Sequence, residues 1–169
     1  LEAKTLGFTF EIDRPKFWSP DDPHMYTGSV SLTATAPYTA VTQRIKFGVR
    51  TISFDAQDGF LLNGKPLLIN GACVHHDNGV LGAMAFDAAE TRRVKLMKDA
   101  GFNLIRTSHN PPSRAFIEAC DSLGMLVIDE AFDGWRTAKN PFDYSTLIDS
   151  CGVEDVQSMV LRDRNSPSV

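Results

Sequence analysis

The chain has 169 residues, 43% hydrophobic and 22% charged, an ordinary globular composition. Lys and Arg total 17 against 21 Asp and Glu, a net charge of −4, which excludes a strongly basic nucleic-acid binder as the default reading. No run of eighteen apolar residues occurs, so no membrane span is expected, and the opening LEAKTLGFTFEIDRP does not read as a secretory signal.

In chain order, the first part reads as all-β. Phe8 to Ile12 alternates, which predicts a strand with Phe8, Phe10 and Ile12 on one face. Pro15, Pro20 and Pro23 punctuate a connection containing Phe17 and Trp18. Tyr26 to Thr35 alternates again, Pro37 breaks it, and Gln43 to Ile52 is a third strand. Short strands between turn signals suggest a β-sandwich. Asn63-Gly64 between apolar runs predicts a hairpin, because both residues accept positive φ.

After Asn70-Gly71 the pattern changes. Leu67 to Val74 is nearly continuous apolar sequence. Phe86 to Ala100 reads as a helix stopped by Gly101, with Val94, Leu96, Met97 and Ala100 inward. Phe102 to Ile105 is a buried strand. Ser113 caps a helix that runs to Gly124, and Met125 to Ile128 is a third buried strand. A long loop leads to a helix over Gly152 to Arg164. Three β–α repeats with apolar strands mean a parallel sheet covered by helices. Cys73, Cys120 and Cys151 fit neither a zinc pattern nor a disulfide framework and read as reduced structural residues, Cys73 packing as a small hydrophobe.

Ligands of parallel-sheet folds bind at the C-terminal strand ends. Here those ends carry His75-His76-Asp77-Asn78, then Arg106-Thr107-Ser108-His109-Asn110-Pro111, then Asp129-Glu130 with Asp133 and Trp135 beyond. Each has a plain structural reading: a hydrogen-bonded histidine, a helix-capping Asp, turn residues ahead of Pro111, a core Trp. Three successive strand ends loaded alike favour a site. Two chemistries fit. One is metal-assisted hydrolysis with His75, Asp77, His109 and Asp133 as ligands, unsupported by any HExxH. The other is sugar chemistry, with polar groups for hydroxyls and Trp135 for ring stacking. Arg106 at the end of a buried strand needs a carboxylate, with Asp129 and Glu130 as candidates. No GxGxxG or P-loop pattern occurs.

The chain resembles glycoside hydrolase family 2, the β-galactosidase, β-glucuronidase and β-mannosidase family. The segments that carry the resemblance are FWSP from Phe17, FGVRTI from Phe47, LNGKP from Leu62, GACVHHD from Gly71, IRTSHNP from Ile105, Cys120-Asp121, VIDEAFDGW from Val127 and RDRNSPSV from Arg162. They run in family order, and DEAFDGW looks most like the β-galactosidases. The resemblance implies an immunoglobulin-like β-sandwich portion in residues 1–52, a linker over 53–59, and the first three βα units of an incomplete (β/α)₈ barrel over 60–169.

It also implies roles. His75, Asp77, His109, Asn110, Asp129, Glu130 and Trp135 would face the sugar, and Arg106 would hold the nucleophilic carboxylate. Asp133 stands where some β-galactosidases have a magnesium-binding Glu, so magnesium is an open expectation and no cofactor is required. Ser166 replaces the usual His after RDRN. Family members retain configuration through two carboxylates roughly 5 Å apart. By position both are expected beyond Val169, so the chain reads as an inactive fragment of an enzyme acting on a terminal β-linked glycoside. The parent is expected to have no nucleic-acid or membrane partner; a homo-oligomer is an open expectation, and its localisation, cytoplasmic or periplasmic, stays open. The rival readings are a metal-dependent hydrolase and a non-catalytic carbohydrate-binding module.

Overall fold

The computed structural model describes residues 4–33 and 39–169. Its first sheet is a two-stranded antiparallel ribbon, β1 (Tyr26–Leu32) on β2 (Val41–Phe47). The end of the expected strand at Thr35 and the break at Pro37 lie outside the described residues. Phe8 to Ile12 forms no strand. It has no hydrogen-bonded neighbour among the described residues, and Phe8 is 78% exposed. One ribbon does not make two packed sheets, so the sandwich expected over 1–52 is present only as this piece.

The stretch 53–59, expected as a linker, is half strand. β3 (Ile52–Asp55) pairs with β4 (Gly59–Leu62), and β4 pairs with β5 (Lys65–Pro66). The β4–β5 turn is Asn63-Gly64 at φ 54° and 74°, the left-handed pair that a two-residue hairpin turn requires.

The third sheet is parallel, in the order β6 (Gly71–His75), β7 (Leu104–Ser108), β8 (Leu126–Ile128). α1 (Asp87–Asp99) and α2 (Arg114–Leu123) connect the strands, and α3 (Ile148–Asp163) follows the long loop. Ser113 caps α2 by accepting from Phe116 N–H at 3.1 Å, and Gly101 and Gly124 end α1 and α2 at positive φ. α3 begins four residues before the expected start, with Ile148 buried against Gly152 and Phe132. Leu96, expected inward, is half exposed. The sheet is open, so the described residues build the expected βα units without closing a barrel.

One face of this sheet is core. Ile105 and Val127 pack with Val94 of α1, Phe116, Ile117 and Cys120 of α2, and Met125. The other face is capped only at its lower end, where Leu104 and Leu126 meet Trp18, Leu62, Phe60 and Leu67. Trp18 is fully buried, and its indole donates to the Asp121 carbonyl at 2.7 Å. Lys98 donates to the carbonyls of Pro20 and Gly124, and Arg50 donates to that of Val169. The N-terminal third thus seals the floor of the parallel sheet and leaves its upper rim free.

Candidate functional site

Strand alternation decides what reaches the rim. Residues 105, 107, 127 and 129 point into the helix layer; residues 73, 75, 106, 128 and 130 point to the open face. Arg106 and Glu130 therefore meet, with Nη2 donating to Oε1 at 2.7 Å. The same Oε1 accepts from His109 Nδ1 at 3.3 Å. A carboxylate only accepts, so Nδ1 is the donor in this contact and Nε2 is left for another partner. The His75 ring packs edge-on against His109, centroids 5.1 Å apart. Asp133 Oδ1 lies 3.7 Å from His109 Nδ1 and 2.7 Å from Lys139 Nζ. Lys139 first, through its hydrogen bond and its charge, holds the Asp133 carboxyl below its ordinary range. Glu130 Oε2 is buried without a hydrogen-bond partner among the described residues.

His75, His109 and Asp133 border a cleft of about 470 Å³ that also takes in Asn110, Phe132 and Tyr144. Asn110 donates to the Pro111 carbonyl, so part of its role is to shape its own turn. Trp135 is 59% exposed and its ring stands perpendicular to that of Phe132, centroids 5.3 Å apart. Phe132 in turn stacks on Tyr144, whose hydroxyl donates to Asp155 of α3. That bond pushes the tyrosine up to about 12.

Two expected site residues are placed elsewhere. Asp129 faces backwards, its side chain only 5% exposed, against Thr107, Arg162 and Asp163. Burial, then its hydrogen bond to the Asp163 carboxyl, raises it to about 6. Adjacent strand residues cannot share a face, which is why Asp129 and Glu130 part. Asp77 accepts from Gly79 N–H at 2.8 Å and organises its own loop. The four ligands His75, Asp77, His109 and Asp133 are thus not assembled. Among the described residues no cluster of three or more His, Cys, Asp or Glu is arranged for a metal ion. At Asp133 the donors do not fit one either: Lys139 Nζ holds both Oδ1 at 2.7 Å and the carbonyl oxygen at 3.1 Å.

Cys73 does not pack as core. It is exposed on the open face, 3.6 Å from Arg106 Nη1. The neighbouring Ser108 hydroxyl, then Arg106, lower its thiol. Sequence reasoning missed Glu90 and Arg93. Glu90 is 1% exposed, accepts from Asn78 at 2.8 Å and pairs with Arg93, which donates to the His75 carbonyl. Helix α1 therefore fixes the loop after β6. An acidic residue one turn into an otherwise ordinary helix gives no sign of this.

The comparisons agree with one another. The profile "Glycosyl hydrolases family 2, TIM barrel domain" matches residues 55–169, and "Glycosyl hydrolases family 2" matches residues 1–50. The beta-galactosidase BoGH2A of Bacteroides ovatus is 40% identical over 99% of the chain, which covers 20% of that protein. The structure of a glycosyl hydrolase family 2 member from Bacteroides cellulosilyticus matches with a TM-score of 0.85 and 51% identity, covering 92% of this chain and 20% of that one. A beta-glucuronidase structure from Parabacteroides merdae matches with a TM-score of 0.80 and 29% identity over 94% of this chain and 19% of that one. The chain thus spans about a fifth of the length of these relatives.

Proposed function

The chain belongs to glycoside hydrolase family 2, and from that premise we propose that it supplies the first three strand-end segments of a retaining β-glycosidase site that takes a terminal β-linked galactoside. We assign residues 1–52 to the rear of the sandwich domain and 60–169 to the opening of the barrel; the profile limits at 50 and 55 support that division. The observation that carries the reading is the meeting of Arg106, His109 and Glu130 at one carboxylate oxygen beside His75 and Asp133.

In this reading His75, His109 through Nε2, and Asn110 bind sugar hydroxyls, and Trp135 stacks a ring face. Arg106 is fixed by Glu130 so that its remaining donors can hold the nucleophile. Glu130 is itself committed to Arg106 and His109, and Asp133 to Lys139. Neither is free to act as nucleophile or acid/base, so we assign both catalytic carboxylates to other parts of the whole protein. Galactose is preferred over glucuronate because DEAFDGW resembles the β-galactosidases and the Bacteroides ovatus relative carries that name.

The test is kcat/KM of the whole protein on nitrophenyl β-galactoside and β-glucuronide, with the 169-residue chain alone as control. The expected result is turnover by the whole protein, at least about tenfold better on the galactoside, and none by the chain. Equal or reversed preference overturns the galactoside reading. Absence of turnover on every β-glycoside overturns the glycosidase, and saturable turnover by the chain overturns the assignment of the missing carboxylates.

A further inference from the structure

The contacts of Lys139 are those of a chelated cation. Its ammonium donates to the carboxylate Oδ1 and the carbonyl oxygen of the same residue, Asp133, at 2.7 and 3.1 Å. A hard divalent ion uses the same oxygen types. The lysine is also delivered by a built loop rather than hanging free. Asp143 Oδ2 accepts from the backbone N–H of Lys139 at 2.6 Å and of Asn140 at 3.0 Å, while Oδ1 accepts from Ser145. These bonds, that of the Ser145 hydroxyl first, hold the Asp143 carboxyl far below its ordinary range. Asp133 in turn stands 3.7 Å from His109 Nδ1. Asp133 and Glu130 thus flank His109, each paired with a cation of its own, Lys139 and Arg106.

We infer that Lys139 is the resident cation of this site, a positioning residue whose ammonium occupies both Asp133 oxygens and holds that carboxylate beside His109 without a metal ion. This rests on the strand-end cluster being the sugar site proposed above, but its decisive test does not depend on turnover. An exposed ion pair adds little stability, about 0–1 kcal/mol. The weight of the pair therefore lies in position and in which cation Asp133 accepts. Removing the ammonium while keeping an unbranched stem leaves an oxygen pair with its cation gone, and a divalent ion can then enter.

The experiment counts Mn²⁺ bound to the whole protein by loss of the free-ion electron paramagnetic resonance signal. It compares the wild type, Lys139→Met, Asp133→Asn, and the double variant Lys139→Met/Asp133→Asn. The inference expects Lys139→Met to bind a further ion, the double variant to lose it, and Asp133→Asn alone to match the wild type. Equal binding by wild type and Lys139→Met overturns it. So does loss of an ion on Asp133→Asn alone, which would mean that a metal already sits there. Where the whole protein turns over a glycoside, the wild-type rate is unchanged by chelator. Lys139→Met is slowed roughly tenfold in chelator and recovers with Mg²⁺, and Lys139→Arg stays near wild type. A wild type that loses its rate to chelator and regains it with Mg²⁺ overturns the inference. Failure of all turnover would sink the glycosidase reading while leaving the Mn²⁺ count to decide this one.

Discussion

Glu130 Oε1 accepts from Arg106 Nη2 at 2.7 Å while it faces His109 Nδ1 at 3.3 Å. One oxygen just past the end of β8 thereby sets Arg106 on β7 and His109 just past it. Glu130→Gln keeps the shape but removes the charge that holds both donors. With Arg106 free to swing, a displacement of about 1 Å is enough to cost roughly 100-fold in rate. The expected outcome in the whole protein is a kcat loss of that order, with KM changed by less than about threefold. A kcat equal to wild type would remove Glu130 from the positioning role.

Trp135 is largely exposed and stands perpendicular to the Phe132 ring. If it stacks a sugar ring, truncation removes binding rather than chemistry. Trp135→Ala should raise KM about tenfold, equivalent to about 1.4 kcal/mol, with kcat nearly unchanged, and Trp135→Phe should recover most of the loss. Initial-rate measurements separate the two constants, and an unchanged KM in Trp135→Ala would count against stacking.

Gly124 ends α2 at φ 74°, and a Cβ there would lie 2.2 Å from the Pro20 carbonyl oxygen. Lys98 bridges these same two residues. Gly124→Ala must therefore adopt a left-handed backbone and also push the 18–20 segment off the floor of the sheet. Gly101 has φ 88° but nothing within 4 Å of its virtual Cβ. Gly101→Ala should cost about 1 kcal/mol and Gly124→Ala clearly more, read as urea midpoints at matched slope. Equal losses would show that the Pro20 contact yields freely.

Local chemistry was legible in the sequence where one short stretch decides it. Asn63-Gly64 forms its turn, Ser113 caps its helix, and Gly101 and Gly124 stop theirs. The three polar strand ends are likewise where the parallel-sheet rule puts them. What was illegible depends on partners distant in the chain. Phe8 to Ile12 alternates like a strand but pairs with nothing described, because alternation specifies a face and not a neighbour. Asp129 and Glu130 looked equivalent as consecutive acids, and only the strand's phase separates them. Lys139 gave no signal, since its role depends on a loop that returns it to Asp133. The link from Glu90 through Arg93 to the His75 carbonyl was hidden for the same reason.

Asp129 makes the parting of the two acids measurable. Burial, and then the hydrogen bond to Asp163, raises its carboxyl from 3.8 to about 6, against the opposing pull of Arg162 and Thr107. Between those values the folded state holds a proton that the unfolded state has released. Stability from this group is therefore full below about pH 4 and is lost as pH rises towards about 6. Asp129→Asn removes the ionisation while keeping the shape. The stability of the variant minus that of the wild type should rise between about pH 4 and 6 and level off above, whatever constant offset the amide introduces. Urea unfolding across that range gives the difference directly. A flat difference would mean that Asp129 titrates normally. The pocket behind β8 would then be more open to water than its 5% exposure implies.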